Sequence, residues 1–294
     1  MTAQIFLQIV ASGLLMGLIY ALIAVGLSLI FGLMDVVNFA HGEFMMLAMY
    51  AVFGAVVIIG IDPLMAMPLA VAALFVVGAT AYLGVVQHAM RAKANIGMVQ
   101  IFATFGLAVL IRGVSQFLFT SDYRNVPAER NLLGGKTIEL GGVFLPLPQL
   151  VGAGISVLAF VGLWLLITRT DFGKALEATR EDAGAVALVG IDKNRVFTLG
   201  WGLGASLVGL AGAILAIFYY IHPDVAAPFA LIAYVTVALG GFGSVFGALV
   251  AGIMVGLAEA LTATILPPAL KSVGIYALYL GVLFIRPKGL FGSL

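Results

Sequence analysis

The sequence predicts an all-α polytopic membrane protein with about eight or nine transmembrane helices, some of them broken or re-entrant. Hydrophobic residues make up 63% of the 294 residues, charged residues make up only 9%, and the mean hydropathy is +1.19. A soluble domain is about half apolar and about a quarter charged, and it avoids the large exposed apolar patches that this composition would produce. We therefore interpret residues 1–294 as one transmembrane domain.

The composition also excludes several kinds of site. The chain has 14 Lys and Arg against 13 Asp and Glu, a net charge of +1, so it has no basic surface for nucleic acid. It contains no cysteine, which excludes a disulfide framework, a cysteine-ligated zinc site and a thiol nucleophile. His41, His88 and His222 are isolated from one another, so we expect no metal site.

Apolar runs place the helices along the chain. A spanning helix needs about 20 apolar residues. The first run, from Ile5 to about Leu33, is too long for the core of a cleavable signal peptide and predicts the first spanning helix. The candidate spans cover residues 5–33, 44–60, 64–87, 98–119, 148–168, 196–220, 225–240, 245–264 and 271–286.

Two of these spans, 44–60 and 225–240, are short, and each lies beside a polar or glycine-rich break. The breaks run from Asp35 to Glu43 and from Gly240 to Gly243. Broken segments at membrane depth persist only where they are buried in protein or line a water-filled cavity. Both breaks are therefore candidates to line a pathway through the membrane.

The positions of Lys and Arg predict the orientation. If every candidate crosses, nine of these residues lie on one side and four on the other, with one inside a span. The positive-inside rule makes the side with more Lys and Arg cytoplasmic, which places the N-terminus outside and the C-terminus inside. If one short segment is re-entrant, the number of crossings falls to eight and one terminus changes side. The cytoplasmic set is Arg91, Lys93, Arg169, Lys174, Arg180, Lys193, Arg195, Arg286 and Lys288, and the external set is Arg124, Arg130, Lys136 and Lys271.

The longest external loop covers about residues 120–147. Its stretch from Thr137 to Leu145 has Gly141 and Gly142 at the centre of two short β-prone runs, which predicts a hairpin.

The main internal loop covers about residues 170–195 and contains a predicted helix. Thr170 and Asp171 can cap its start, the segment 175–187 consists of good helix formers, and Gly190 can end it. We expect this helix to lie at the cytoplasmic face rather than to span.

Small residues recur at every fourth position in the eighth span, including Ala248, Gly252 and Gly256. Gly13 and Gly17 begin a similar strip in the first span. Such flat strips let helices approach closely, so we expect packing within the chain or against a second subunit.

Two charges are predicted inside spans. Arg112 and Glu259 each lie about 14 residues from the cytoplasmic end of their span, or roughly 20 Å into the membrane. An unpaired charge at that depth is costly, so each needs a partner or a water-filled cavity. We expect Arg112 and Glu259 to pair or to face the same cavity; the alternative is that Arg112 extends to the outer interface.

Motifs for enzymatic or nucleotide chemistry are incomplete. His41 and Glu43 could act as an acid–base pair, but such a pair in a turn is more often structural. The segment 135–137 looks like the end of a phosphate-binding loop, yet Arg130 occupies the position of its first glycine. We expect no catalytic residue, and any ATPase would be a separate subunit.

Several segments together resemble one family of transport permeases, with matches from about residue 13 to residue 292. The matching segments are Gly17 to Gly32, Asn38 to Phe44, Ala178 to Asp182, Leu188 to Asp192, Phe197 to Gly212, Gly240 to Ser244, Leu278 to Val282 and Arg286 to Gly292. In these segments the chain resembles the branched-chain amino-acid ABC importer permeases of the LivH type.

The resemblance implies the ABC importer permease fold, no cofactor, and a subunit of a multi-pass importer in the bacterial inner membrane. In such importers a periplasmic protein captures Leu, Ile or Val, this permease and a longer LivM-type permease form the pathway, and two cytoplasmic ATPases drive it. The family's coupling segment maps to about residues 177–190, which agrees with the capped helix predicted there. The residues we expect to couple to an ATPase are Glu177, Ala178, Arg180, Asp182, Leu188 and Gly190.

A zwitterionic amino acid carries two charges through a mostly apolar route, so polar backbone at broken helices is a natural lining. We therefore expect the pathway to be lined by Asn38, His41, Gly240, Gly241, Gly243 and Ser244.

Four alternatives stay open at the level of sequence. A permease of the same family could carry urea, short amides or other amino acids. A secondary transporter would need no ATPase and would use Glu259 as its main membrane acid. A channel would require repeated pore-lining polar residues, and an intramembrane enzyme would require a nucleophile–base pair; neither pattern is visible.

Overall fold

The computed structural model of the protein describes residues 3–92 and 95–292, so Lys93 lies outside the described residues. The described chain is mostly helical, with one small hairpin formed by β1 (Thr137–Leu140) and β2 (Val143–Pro146). Its helices are α1 (Ala3–Met34), α2 (His41–Ile59), α3 (Pro63–Ala89), α4 (Ile96–Phe119), α5 (Leu147–Arg169), α6 (Asp171–Glu181), α7 (Lys193–Leu215), α8 (Pro223–Gly240), α9 (Val245–Ile265) and α10 (Ser272–Ile285). Short 3-10 turns cover Ala128–Arg130, Ala185–Val189 and Pro268–Leu270.

Within the described residues, eight of these helices are long and apolar enough to cross a membrane: α1 to α5 and α7 to α9. The ninth apolar helix, α10, has 14 residues, which is shorter than the roughly 20 residues of a perpendicular span. The prediction of an all-α polytopic membrane protein with eight or nine helices is confirmed. The sixth candidate span ends earlier than expected, because residues 216–220 form turns instead of continuing α7.

α1 and α7 form the centre of the bundle. Their most apolar stretches are each 78% buried, against 17% for α4 and 22% for α5. α1 packs against α5, α7, α8 and α9, and α3 covers the other side of α7. The outer surface of α4 is apolar, with Phe102, Phe105 and Phe117 exposed, as expected of a helix that faces lipid or another membrane subunit.

The small-residue strip of α9 packs against α1. A Cβ atom added to Gly252 would lie 2.5 Å from the backbone of Ala21, and one added to Gly256 would overlap the backbone of Gly13 and Gly17. Ala248 is fully buried in the same strip. The strip therefore serves close helix packing within the chain and is not left open for a second subunit.

The connection between α1 and α2 turns back into the bundle. It leaves α1 at Asp35, which has a φ of 52°, and residues 35–40 then run beside α1. The Nε2 atom of His41 lies 2.9 Å from the carbonyl oxygen of Ile23, and Ile23 is about 16 Å along α1 from Met34. α2 therefore begins inside the bundle, within the break from Asp35 to Glu43 that the sequence predicts.

The hairpin lies at one end of the bundle, which we call the hairpin end. Gly141 and Gly142 have φ values of 60° and 82°, as the two central residues of a type I′ turn require. The side chain of Gln8 accepts a hydrogen bond from the backbone N–H of Phe144 and donates one to its carbonyl oxygen, both at 2.7 Å. The predicted hairpin is confirmed, and it is tied to the start of α1.

The opposite end carries α6, and we call it the α6 end. Thr170 caps α6 by accepting a hydrogen bond from Gly173 N at 3.1 Å. The sequence predicted one helix through residues 175–187, but α6 ends at Glu181 because the carboxylate of Asp182 accepts hydrogen bonds from the next backbone N–H groups. A separate 3-10 turn follows, and Gly190, with a φ of 81°, ends it.

Candidate transport and coupling sites

A cavity of about 670 Å³ opens at the α6 end, between α1, α5, α6 and the turn that joins α8 to α9. It joins two groups of residues that the sequence placed in separate sites, one on the predicted coupling helix and one in the glycine-rich break. The residues from these groups that line the cavity are Glu177, Arg180, Gly243 and Ser244, together with Ser28 and Gly32 of α1.

The centre of this arrangement is a close approach between Arg180 and Gly243. A Cβ atom added to Gly243 would lie 3.1 Å from Nη2 of Arg180 and 3.1 Å from Cα of Gly32. Gly243 also has a φ of 78°, which favours glycine. Ser244 then caps α9 by accepting a hydrogen bond from Gly247 N at 3.0 Å. α6, α1 and the start of α9 thus meet at one turn.

The 3-10 turn beyond α6 presents apolar side chains to the surroundings. Leu188 is 89% exposed and Val189 is 75% exposed, an unusual position for two large apolar residues in a chain segment outside the spans. Asp182 is exposed, and the N–H groups of Ala185 and Gly184 lower the pKa of its carboxyl group by stabilising the carboxylate. Ala178 is half-buried on α6.

Four of the expected pathway residues do not line this cavity. Asn38 and His41 are fully buried where the α1–α2 connection packs against α1. A Cβ atom on Gly240 would overlap Gly247, and one on Gly241 would overlap the backbone of Gly292. These two glycines permit close backbone packing, whereas Gly243 and Ser244 of the expected set line the cavity at the α6 end.

The expected pair between Arg112 and Glu259 is wrong. Nη2 of Arg112 lies 2.5 Å from Oε1 of Glu43 at the start of α2, while Oε1 of Glu259 lies 2.7 Å from Nζ of Lys271. The physical reason is lateral position: α4 packs beside α2, whereas α9 packs beside α1 and α10. Similar depth along two helices does not bring their side chains together.

Polar atoms cluster around the Glu43–Arg112 pair. The Oε2 atom of Glu43, the Nε atom of Arg112 and the Nδ2 atom of Asn38 are buried and have no hydrogen-bond partner among the described residues. Tyr234 donates a hydrogen bond to the carbonyl oxygen of Asn38 at 3.2 Å. These contacts connect the start of α2 to α4 and α8 inside the bundle.

A second cavity, of about 360 Å³, lies at the hairpin end between α1, α5 and α9. Glu259 and Lys271 line it, and the hydroxyl of Tyr20 donates a hydrogen bond to Oε2 of Glu259 at 2.5 Å. Sequence reasoning missed Tyr20 and Lys271 as partners of Glu259. One signal for Lys271 was available in the sequence. Glu259 lies only six residues before the end of α9 at Ile265, so it is closer to the hairpin end of the span than to the α6 end.

A bundle in which eight of the described helices are long and apolar enough to cross a membrane defines a multi-pass membrane protein. Residues 9–283 match the family described as branched-chain amino acid transport system / permease component, and the chain belongs to that family. The family resemblance seen in the sequence is thereby confirmed, and it is a family of transport permeases, not of enzymes.

Relatives match along nearly the whole chain. The high-affinity branched-chain amino acid transport system permease protein BraD of Pseudomonas aeruginosa is 30% identical over 296 residues, 98% of this chain and 96% of that protein. The corresponding permease protein LivH of Escherichia coli K12 is 32% identical over 300 residues, again 98% of this chain and 96% of that protein. The ribose import permease protein RbsC of Bacillus subtilis is 34% identical over 122 residues, 39% of this chain and 37% of that protein. No solved structure matches the chain.

Proposed function

We propose that this chain is the transmembrane permease subunit of an ATP-driven importer that carries leucine, isoleucine and valine across a bacterial inner membrane. The observation that carries the proposal is the similarity, over 98% of the chain, to permeases whose names specify high-affinity branched-chain amino acid transport. The closest alternative is a permease of the same architecture with another small polar substrate, because a ribose permease shares part of the sequence.

The partners we propose are a second, LivM-type permease, two cytoplasmic ATPases and a periplasmic amino-acid-binding protein. The exposed apolar residues Leu188 and Val189 support the ATPase contact, since they suit a hydrophobic groove on another subunit better than water. The hairpin between Thr137 and Pro146 lies at the opposite end of the bundle, where a binding protein would dock. The apolar surface of α4 and α5 is available to lipid and to the second permease.

Coupling in this proposal acts through α6. α6 is joined directly to α5, and the segment after it leads into α7, so a displacement of α6 by the closing ATPases pulls on two spanning helices. Arg180 would transmit the same displacement to Gly243 and Gly32. The cavity between these elements would then change its opening at the α6 end.

The test is uptake of labelled leucine by liposomes that contain the complete complex and its binding protein. We expect uptake to require ATP at the α6 side of the membrane. Unlabelled leucine, isoleucine and valine should suppress it, and alanine and urea, tested at the same concentrations, should suppress it less. Preferential competition by alanine or urea would move the assignment to another substrate of the family. Uptake that persists without ATP would support a secondary transporter.

A further inference from the structure

Glu259 lies in an unusual setting for a carboxylate in a membrane helix. Its side chain is only 10% exposed and is held between Nζ of Lys271 at 2.7 Å and the hydroxyl of Tyr20 at 2.5 Å. The group borders the 360 Å³ cavity at the hairpin end and is not enclosed on all sides. Lys271 is the residue before α10, and its side chain is 46% exposed and lines the same cavity.

The cavity combines one anion, one cation and an apolar wall. Its apolar lining includes Met16, Phe218, Ala260 and Ala263. A zwitterionic amino acid with an aliphatic side chain carries the complementary groups, because its ammonium matches a carboxylate, its carboxylate matches a lysine, and its side chain matches the apolar wall. A charged residue within a membrane span is costly and by default points to a functional site, so the carboxylate of Glu259, whose side chain is only 10% exposed, favours a role beyond packing.

The two cavities are separate but border the same three helices, α1, α5 and α9. Ser28 of α1, Phe160 of α5 and Phe246 of α9 line the cavity at the α6 end, while Tyr20 of α1 and Gln149 of α5 line the one at the hairpin end with residues of α9. Tyr20 and Ser28 are eight residues apart, or about 12 Å along α1. The two cavities therefore lie one above the other along α1, at the hairpin end and at the α6 end.

We infer that Tyr20, Glu259 and Lys271 form an acceptor site that binds the α-ammonium and α-carboxylate groups of the transported amino acid at the hairpin end. The substrate carboxylate draws Nζ of Lys271 away from Glu259, and the freed carboxylate of Glu259 receives the substrate ammonium. Tyr20 keeps its hydrogen bond to Glu259 and holds that carboxylate in place. This inference rests on the proposed function, since it names the groups of the proposed substrate that the permease itself recognises.

The experiment measures saturable binding of labelled leucine to the permease–ATPase complex in nanodiscs, without the binding protein. Two analogues serve as competitors: leucinamide, which lacks the carboxylate, and 4-methylpentanoate, which lacks the ammonium. We expect leucine to displace the label better than either analogue by at least about tenfold, the effect of one charged hydrogen bond.

The variants separate recognition from folding. Lys271→Gln should weaken leucine binding at least about tenfold and abolish the preference for leucine over leucinamide, and Glu259→Gln should abolish the preference over 4-methylpentanoate. Tyr20→Phe, which keeps the ring, should give a smaller loss. Lys136→Gln is the matched control, because Lys136 is an exposed lysine at the hairpin end and does not line the cavity. A purely structural role would change binding of all three compounds equally.

Three outcomes would overturn the acceptor site: equal competition by all three compounds in the wild type, unchanged leucine binding in Lys271→Gln, or no saturable binding in a complex that imports leucine with its binding protein. The proposed function fails separately, when the wild-type complete importer does not transport leucine.

Discussion

At the scale of single residues, each charge inside the bundle has a partner that the sequence alone did not identify. The sequence shows that Arg112 and Glu259 are charged within apolar segments, and the cost of burial makes partners necessary for both. Which partner each one finds depends on how helices are arranged around α1, and that information is spread over the whole chain. Glu43 and Lys271 were visible as charged residues, but their distances from Arg112 and Glu259 follow only from the packing.

We predict that Arg112→Met destabilises the folded protein by roughly 2–3 kcal/mol, because it leaves the buried carboxylate of Glu43 without its partner. The loss falls below that of a fully buried pair since the Arg112 side chain is 36% exposed. The change in stability is measured by thermal unfolding in detergent, with size-exclusion chromatography as the readout of folded protein. The double variant Glu43→Gln with Arg112→Met should recover most of the loss; simple addition of the two single effects would contradict the pairing.

At the scale of elements, the sequence predicted which segments are helices far better than how they end or meet. Apolar runs located the spans, and the glycine pair at 141–142 located the hairpin. The break at Asp182 was missed because helix formers continue beyond it, and a side-chain hydrogen bond to the following backbone outweighs their propensity. Of the expected pathway residues, Gly243 and Ser244 line the cavity at the α6 end, whereas Gly240 and Gly241 serve close backbone packing and Asn38 and His41 are buried.

The α1–α9 contact gives a prediction about packing. Gly252→Ala places a Cβ atom 2.5 Å from the backbone of Ala21 and forces the helices apart, at a cost of about 1–3 kcal/mol. Gly162→Ala on α5 is the matched control, because a Cβ atom there has no neighbour within 4 Å among the described residues. We expect a lower melting temperature and lower yield for Gly252→Ala alone. Equal melting temperatures and yields for the two variants would show that α1 and α9 are not in close contact at Gly252.

The segment after α6 gives a prediction about assembly. Leu188→Ser combined with Val189→Ser removes the exposed apolar surface and should reduce co-purification of the ATPase subunits at least about tenfold, as expected for loss of apolar anchors at an interface. Leu132→Ser, at an exposed leucine of the hairpin end, should leave co-purification unchanged.

Arg180 gives a prediction about the coupling of ATP hydrolysis to transport, which is distinct from binding of the ATPase subunits. In Arg180→Ala the ATPases should stay bound and hydrolyse ATP, while leucine uptake falls at least about tenfold because α6 no longer contacts the turn at Gly243. The ratio of transport to hydrolysis is the measurement, and Asp182→Ala should lower it as well. If both alanine variants transport at the wild-type rate, α6 does not couple the two processes.

At the scale of the whole molecule, charge distribution predicts which end faces the cytoplasm. The α6 end carries most of the Lys and Arg residues, so the positive-inside rule orients it inward. The chain contains no cysteine, and single cysteines therefore report position cleanly. Lys136→Cys should react with a membrane-impermeant maleimide in intact cells, and Lys174→Cys should react only after permeabilisation. The reverse pattern would invert the topology.

The stretch of α1 of about 12 Å that separates the two cavities has an electrical consequence. Ala24, which lies between Tyr20 and Ser28, is fully buried. An energised membrane stores about 2.3 kcal/mol for each elementary charge across 100 mV, and a continuous water-filled route would let protons and sodium ions dissipate it. Packed apolar residues such as Ala24 interrupt that route between the two cavities.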